Sequence, residues 1–153
     1  MKIILLAVGR LRSAPLRDVC ADYLERLKRY GPAEVLEVKA AESGSIDQRM
    51  AQEGERLLSA LQPNDQVLVL DERGKQFSSE EWSQTLKGHE LRSVRRMVLI
   101  LGGAYGISAE VKRKGTLVAL SKMTLPHELC RAVILEQLYR ARTIQRGEPY
   151  HHA

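Results

Sequence analysis

The chain has 153 residues, enough for one domain that buries roughly two-thirds of the surface its unfolded form would expose. Its 24 lysines and arginines exceed its 19 acidic residues, which gives a formal net charge of +5. This surplus favours a polyanionic partner, because cations that face phosphates release condensed counterions. The apolar run after Met1 stops at Gly9, too short for a signal peptide or a membrane span, so we expect a cytoplasmic protein.

The two cysteines give no sign of a disulfide or a metal site. Cys20 and Cys130 lie far apart, each within an apolar helical pattern. Their spacing matches neither a disulfide framework nor a zinc motif. We therefore expect buried free thiols in a reducing compartment and no metal.

The first half of the sequence alternates apolar runs with amphipathic stretches. KIILLAV (residues 2–8) is typical of a strand buried on both faces. A helix follows, with Pro15 suited to its first turn and Gly31-Pro32 to its stop. The pattern then predicts a second strand at 35–38, a helix at 46–61 and a third strand at 66–71.

The second half continues the alternation. Ser78 and Glu81 have the spacing of a capping box and predict a helix to about residue 91, with His89 exposed at its polar end. The remaining elements are a strand at 97–101, a short helix capped by Ser108, a strand at 116–120 and a last helix from Pro126 to about residue 143.

Five strand–helix units predict an α/β fold over residues 1–153. The expected architecture is a mainly parallel sheet of five or six strands with helices on both faces, because parallel strands need crossover connections. Ligands of such sheets bind at the carboxyl ends of the strands. The last helix carries apolar residues on two stripes, which predicts two packing partners: its own sheet and a second copy of the chain.

The glycine-rich stretch LILGGAYGIS (residues 99–108) matches neither common nucleotide-binding motif. Leu101 stands where a dinucleotide fingerprint needs its first glycine, and Gly106 is not followed by the lysine of a P-loop. Two interpretations remain: a tight strand-to-helix turn, or bare backbone against which a flat ligand lies. The neighbouring strand ends at 67–71 and 118–127 are weakly charged, which suits adenine and a thioether better than a phosphate chain.

Several stretches together carry a resemblance to a known family. They are KIILLAVG, LDERGKQFSSEEW (70–82), LILGGAYGIS, LSKMTLPHELCRAVILEQLYRA (120–141) and PYHH (149–152). With them the chain resembles the SPOUT methyltransferases, specifically the family that methylates N3 of a pseudouridine in 23S ribosomal RNA. The resemblance implies S-adenosylmethionine as cofactor, a homodimer and a C-terminal trefoil knot, although unknotted chains are the general rule. Without an added RNA-binding module, the expected substrate is 23S rRNA within the assembled ribosome.

The resemblance also implies a cofactor pocket made largely of backbone. Gly102 would let the backbone approach the ligand, and leucines would sandwich the adenine. The residues assigned to this pocket are Leu70, Gly102, Gly103, Leu120, Ser121, Lys122, Met123, Thr124 and Leu125.

Four residues are candidates for catalysis. His127 lies beside the cofactor loop and either acts on the substrate or only caps and packs there, since a helix N-terminus favours a neutral ring. Arg140 either neutralises a phosphate or the base anion, or forms a salt bridge at a dimer interface. By resemblance, the tail of one protomer completes the partner's site, with Tyr150 on the target base and His151 on cofactor or RNA.

Two other functions compete with the methyltransferase. One is a nicotinamide-dependent oxidoreductase, disfavoured by the displaced fingerprint. The other is a non-enzymatic ribosome-associated RNA-binding module, which would share the basic surface.

Overall fold

The computed structural model describes residues 1–152 and confirms the strand–helix alternation. Its elements are β1 (Lys2–Val8), α1 (Ala14–Lys28), β2 (Ala33–Val38), α2 (Ile46–Ser59), β3 (Gln66–Gln76), α3 (Ser79–Leu91), β4 (Arg96–Leu101), α4 (Ala109–Lys112), β5 (Thr116–Ala119) and α5 (His127–Arg146).

One five-stranded sheet has the order β2-β1-β4-β3-β5, and all neighbouring strands are parallel. Because side chains alternate along a strand, Ile3 and Leu5 of β1 face one apolar layer, and Ile4 and Leu6 face the other. Helices α1, α3 and α5 cover the first layer, and α2 and α4 cover the second. The predicted α/β sheet with helices on both faces is confirmed; the trefoil knot stays a prediction.

Strand β3 is five residues longer than the sequence predicts, and its extra length is interrupted. Leu70 and Lys75 both pair with Val118 of β5, so residues 71–74 bulge out of the ladder between them. A side chain at Gly74 would place Cβ 2.4 Å from the backbone nitrogen of Val118. The charged, turn-like sequence DERG therefore interrupts β3 without ending it, which the composition did not reveal.

Helix α5 finds its partners within the chain. It packs against α1 and α3 and buries Ile134, Leu135 and Leu138. The two apolar stripes of α5 are thus largely covered without a second copy of the chain. The pattern of apolar residues in α5 therefore gives little support for a dimer. An apolar remainder is exposed beside it, with Leu129 at 36% and Val19 of α1 at 41% of their full accessibility.

A buried arginine joins α5 to the carboxyl ends of β1 and β2. The Arg131 side chain is 1% exposed and pairs with Glu37 at 2.7 Å. Its guanidinium also donates to the carbonyl oxygens of Val8 at 2.8 Å and Gly9 at 2.6 Å. These carbonyls end a strand and need donors, since an unpaired buried acceptor is costly.

The sequence predicts buried free thiols at Cys20 and Cys130 and an N-terminal apolar run too short to span a membrane. Cys20 is buried and Cys130 half-buried, both are free thiols, and burial raises the pKa of each. Within residues 1–152, no helix combines the length and apolar character that a bilayer crossing requires.

The expectation that His89 is exposed is wrong. Its side chain faces the interior of the domain, and the residue is 5% exposed. The Arg92 guanidinium lies 2.7 Å from Nδ1, while Nε2 has no partner among the described residues. Burial, reinforced by the Arg92 charge, lowers the pKa of His89 below its ordinary 6.5.

This burial predicts a loss of stability in mild acid. Below pH 6.5 the unfolded chain takes up a proton that the folded His89 resists, so the contribution of His89 falls as the pH drops toward its folded pKa. The free energy of unfolding of the wild type, measured with urea, should fall between pH 7 and pH 5. That of H89Q should fall less. H152Q, at an exposed histidine, is the control. The prediction would be contradicted if the free energy of unfolding changed equally with pH in H89Q and H152Q.

Candidate active site

Three chain segments leave the carboxyl ends of β3, β4 and β5 and enclose a pocket of about 460 Å³. They are the bulge at 71–73, the glycine turn at 102–106 and the loop at 120–125. The strands are neighbours in the sheet, as expected from the sequence. The volume lies within the range of about 300–1,000 Å³ for cofactor sites. We call it the strand-end pocket.

The strand-end pocket collects eight of the nine residues assigned to a cofactor from sequence. Lys122 is the exception: its side chain is exposed and does not line the pocket. The eight lining residues are Leu70, Gly102, Gly103, Leu120, Ser121, Met123, Thr124 and Leu125.

The glycine turn is both tight and open on one side. A Cβ at Gly102 would lie 2.4 Å from Cγ1 of Ile107 and 2.7 Å from the carbonyl oxygen of Gly106. Gly106 has φ +94° and donates its N–H to the Gly103 carbonyl at 3.1 Å, with open space where its own Cβ would be. The two interpretations of these glycines are therefore compatible, since the tight turn itself presents bare backbone.

Charged residues missed by the sequence analysis also line the strand-end pocket: Asp71, Glu72, Arg73 and Lys112. Lys112 Nζ lies 2.6 Å from Oδ2 of Asp71, and the Thr124 hydroxyl donates to Glu72 at 3.2 Å. Burial opposes ionisation of Asp71, but Lys112 and the Arg73 backbone N–H outweigh it and lower its pKa. The pocket thus has charged groups, with Lys112 and Asp71 neutralising each other.

His127 is the one catalytic candidate that lines the strand-end pocket. It is the first residue of α5 and also lines a second, adjoining cleft. Glu128 accepts the backbone N–H groups of Arg12 and Ser13 at 2.8 and 3.1 Å, and Arg131 anchors the following turn. His127 therefore stands on a firmly held helix end.

The other three candidates form a separate cluster, here called the tail cluster: Arg140, Tyr150 and His151. Arg140 binds Glu136 at 2.6 Å and its guanidinium lies 4.6 Å from the Tyr150 ring centre. His151 Nε2 contacts Glu80 at 2.7 Å. At about 1.5 Å per residue, Arg140 lies about 20 Å along α5 from His127. Within one chain, the tail cluster does not reach the strand-end pocket.

Tyr150 is held as a neutral phenol. Its hydroxyl donates to Glu136 at 3.1 Å and lies 3.4 Å from the Tyr23 hydroxyl. Burial, with the Tyr23 and Glu136 contacts, raises its pKa. Tyr150 is therefore suited to donating a hydrogen bond or stacking, and not to accepting a proton at neutral pH. Among residues 1–152, no cluster of histidine, cysteine or carboxylate side chains is arranged to hold a metal ion.

Comparison with known proteins decides the family. A family model described as "Predicted SPOUT methyltransferase" matches residues 1–151. The chain belongs to this family. The ribosomal RNA large subunit methyltransferase H of Syntrophotalea carbinolica is 47% identical, with 99% of both chains covered. Its namesake from Gloeobacter violaceus is 42% identical, also with 99% of both chains covered.

A solved structure agrees at the level of fold. A probable methylase family protein from Haemophilus influenzae Rd KW20 superposes with a TM-score of 0.54, covering 99% of this chain and 70% of the other. At 11% identity this likeness speaks for the fold alone. The resemblance found in the sequence is thus confirmed at family level by the family model and the two relatives.

The glycine turn provides a direct test of the strand-end pocket. G102A would force Cβ against Ile107 and the Gly106 carbonyl, so the turn must open. We expect titration calorimetry to show S-adenosylmethionine binding weaker by about tenfold or more, about 1.4 kcal/mol. The matched control is G88A within α3, where nothing lies within 4 Å of the new Cβ.

G88A should leave cofactor affinity unchanged and raise stability by up to about 1 kcal/mol through helix propensity. Equal affinities in G102A and G88A would show that the glycine turn does not form the cofactor site.

Proposed function

We propose that this protein is an S-adenosylmethionine-dependent methyltransferase that methylates N3 of a pseudouridine in 23S rRNA. The supporting observation is similarity over nearly the whole chain to proteins named ribosomal RNA large subunit methyltransferase H, at 38–47% identity in the first three relatives. The strand-end pocket supplies a site of suitable size and chemistry.

The residues of the strand-end pocket fit the cofactor. When bound, S-adenosylmethionine supplies an electrophilic methyl group. Leu70, Leu120 and Leu125 offer apolar contact to an adenine ring, and the glycine turn offers backbone donors and acceptors. The Lys112–Asp71 pair braces α4 against the bulge, so the walls around the ligand are held before it binds.

The protein's main catalytic task is orientation. Bringing a nucleophilic nitrogen into line with a methyl group can account for about 7–11 kcal/mol of barrier lowering at best. N3 of pseudouridine also carries a proton that must leave. We assign its acceptance, or polarisation of the neighbouring carbonyl, to His127, because it lies at the edge of the pocket on a held helix end.

The tail cluster enters the reaction through a homodimer. Since Arg140 lies about 20 Å from His127 along α5, both can serve one base only if the tail comes from a second copy. Exposed Val19 and Leu129 offer apolar surface for that contact. In the partner's site, Tyr150 would contact the target base, Arg140 the developing negative charge, and His151 the RNA or cofactor.

The substrate is rRNA within the assembled ribosome, in the cytoplasm. The chain has a positive net charge, and the methyltransferase family match takes up residues 1–151. Lysine and arginine side chains of this domain would therefore contact the RNA. The shape of the ribosome would contribute to the selection of the target pseudouridine.

Mass spectrometry of rRNA from a strain lacking this protein tests the proposal. We expect the loss of one methyl group on one pseudouridine of 23S rRNA, restored by the wild-type gene. Retention of the methyl group would refute the substrate. Binding of NAD without S-adenosylmethionine binding would favour the oxidoreductase, and binding of neither cofactor would favour the RNA-binding module.

Changes in the tail test the dimeric site. Y150F, H151A and truncation after Gly147 should each lower methylation of ribosomes by about 100-fold or more while S-adenosylmethionine affinity stays near wild type. H152A, at the exposed neighbour, is the control.

Co-expression then shows whether the tail acts across the dimer. The tail-truncated chain should be about 100-fold or more less active, and the G102A chain should bind S-adenosylmethionine about tenfold or more weakly, but their mixed dimer holds one intact pocket beside one intact tail. Recovered activity supports the arrangement, whereas full activity of the truncated chain by itself would remove the tail from the mechanism.

A further inference from the structure

A second cleft, of about 950 Å³, adjoins the strand-end pocket. It lies between the segments that follow β1 and β2 and the N-terminal half of α2. The two cavities share Gly103, Ala104, Tyr105 and His127 as a common wall. Four cationic side chains line the second cleft, which we call the basic cleft: Arg10, Arg12, Lys39 and Arg49. Four carboxylates line it as well, and three of them are engaged: Glu37 by Arg131, Glu42 by Lys39, and Glu128 by the backbone N–H groups of Arg12 and Ser13. The fourth is Glu53.

Two of these four cations are free for a ligand. Lys39 pairs with Glu42 at 2.9 Å, and Arg49 donates to the Gly44 carbonyl at 3.0 Å. The exposed guanidinium groups of Arg10 and Arg12 form no ion pair or hydrogen bond with any residue in the range 1–152. Glu128 nevertheless holds the backbone at Arg12, so this cationic segment is positioned in advance.

The floor of the basic cleft has the opposite charge. Glu53 is 5% exposed and accepts the Ala41 N–H at 2.9 Å through Oε1. Its Oε2 has no partner among the described residues and faces Gly103 so closely that a Cβ there would lie 2.8 Å away. A buried carboxylate repels phosphate, so an anion that filled this cleft would meet a penalty at its floor.

The common wall carries an exposed aromatic ring. Tyr105 is 46% exposed, and the Arg49 guanidinium lies 5.7 Å from its ring centre. A ring in this setting is a stacking surface for a nucleobase. Different parts of the cleft therefore suit different parts of a nucleotide. The cations at the rim suit a phosphodiester, and the aromatic ring near the junction with the strand-end pocket suits a base.

We propose that the basic cleft holds the RNA nucleotide next to the target base, with its phosphate groups against Arg10 and Arg12 and its base on Tyr105. This rests on the proposed function and names the part of the chain that grips the RNA. Because the cleft and the strand-end pocket meet at His127, an RNA strand with its target base in the pocket passes directly into the cleft. A compact polyphosphate or an acidic peptide fits less well, since it would carry negative charge toward Glu53.

The test compares two double variants with the same change in net charge. R10Q/R12Q removes the free cations of the basic cleft. R95Q/K87Q removes exposed cations that line neither cavity. Each is assayed with ribosomes from the strain lacking this protein, over a series of KCl concentrations, with S-adenosylmethionine affinity measured in parallel.

We expect R10Q/R12Q to raise KM for ribosomes by about tenfold or more at moderate salt, with kcat and cofactor affinity near wild type. The slope of log KM against log salt should fall by about 0.7 for each phosphate that no longer meets a cation. The control should behave like wild type. Y105L should also raise KM, by about tenfold, with an unchanged salt slope.

Three outcomes would overturn the inference. These are equal KM values in R10Q/R12Q and the control, an unchanged salt slope in R10Q/R12Q, or a loss of cofactor affinity that accounts for the whole effect. If the wild-type protein itself methylates no ribosome, the proposed function fails instead, and the two failures are thereby distinguished.

Discussion

The buried guanidinium of Arg131 is the contact on which the arrangement of both cavities depends. It joins α5 to the ends of β1 and β2 by pairing with Glu37 and by donating to two strand-end carbonyls. A buried charge is expensive to desolvate, and removing one partner of such a pair is strongly destabilising. Nε of Arg131 has no partner among the described residues. Its effect is positional: it holds the helix end that carries His127 where the two cavities meet.

The strand-end pocket follows from the parallel sheet. Three neighbouring strands end at one edge, and the segments that follow them form the pocket. Backbone groups and leucines then form the walls, while the Lys112–Asp71 and Thr124–Glu72 contacts hold the segments together. A ligand bound in such a site would be recognised through shape and main-chain polarity, which agrees with the lack of a nucleotide-binding motif in the sequence.

The apolar runs and capping residues were enough to predict the elements and the parallel sheet, and eight of the nine residues that the family resemblance assigned to a cofactor line the strand-end pocket. Charged and polar residues account for most of what the sequence analysis missed, and His89 was predicted wrongly. Arg131, Glu53 and His89 all lie inside the fold, although residue types alone indicate a solvated surface. Their burial depends on contacts between residues more than ten positions apart or on the packing of a helix end. Neither can be predicted from the local pattern of apolar and polar residues. The same holds for the bulge in β3, where pairing with β5 overrides a turn-like composition.

The bulge in β3 places residues beside the pocket without ending the strand. Residues 71–73 project beside the pocket, whereas Lys75 and Gln76 resume the ladder and Gly74 fits against the backbone of Val118. Glu72 and Arg73 are exposed and take no part in strand pairing. Substitution of Arg73 should therefore change the shape and charge of the pocket lip while the strand ladder on either side stays in place.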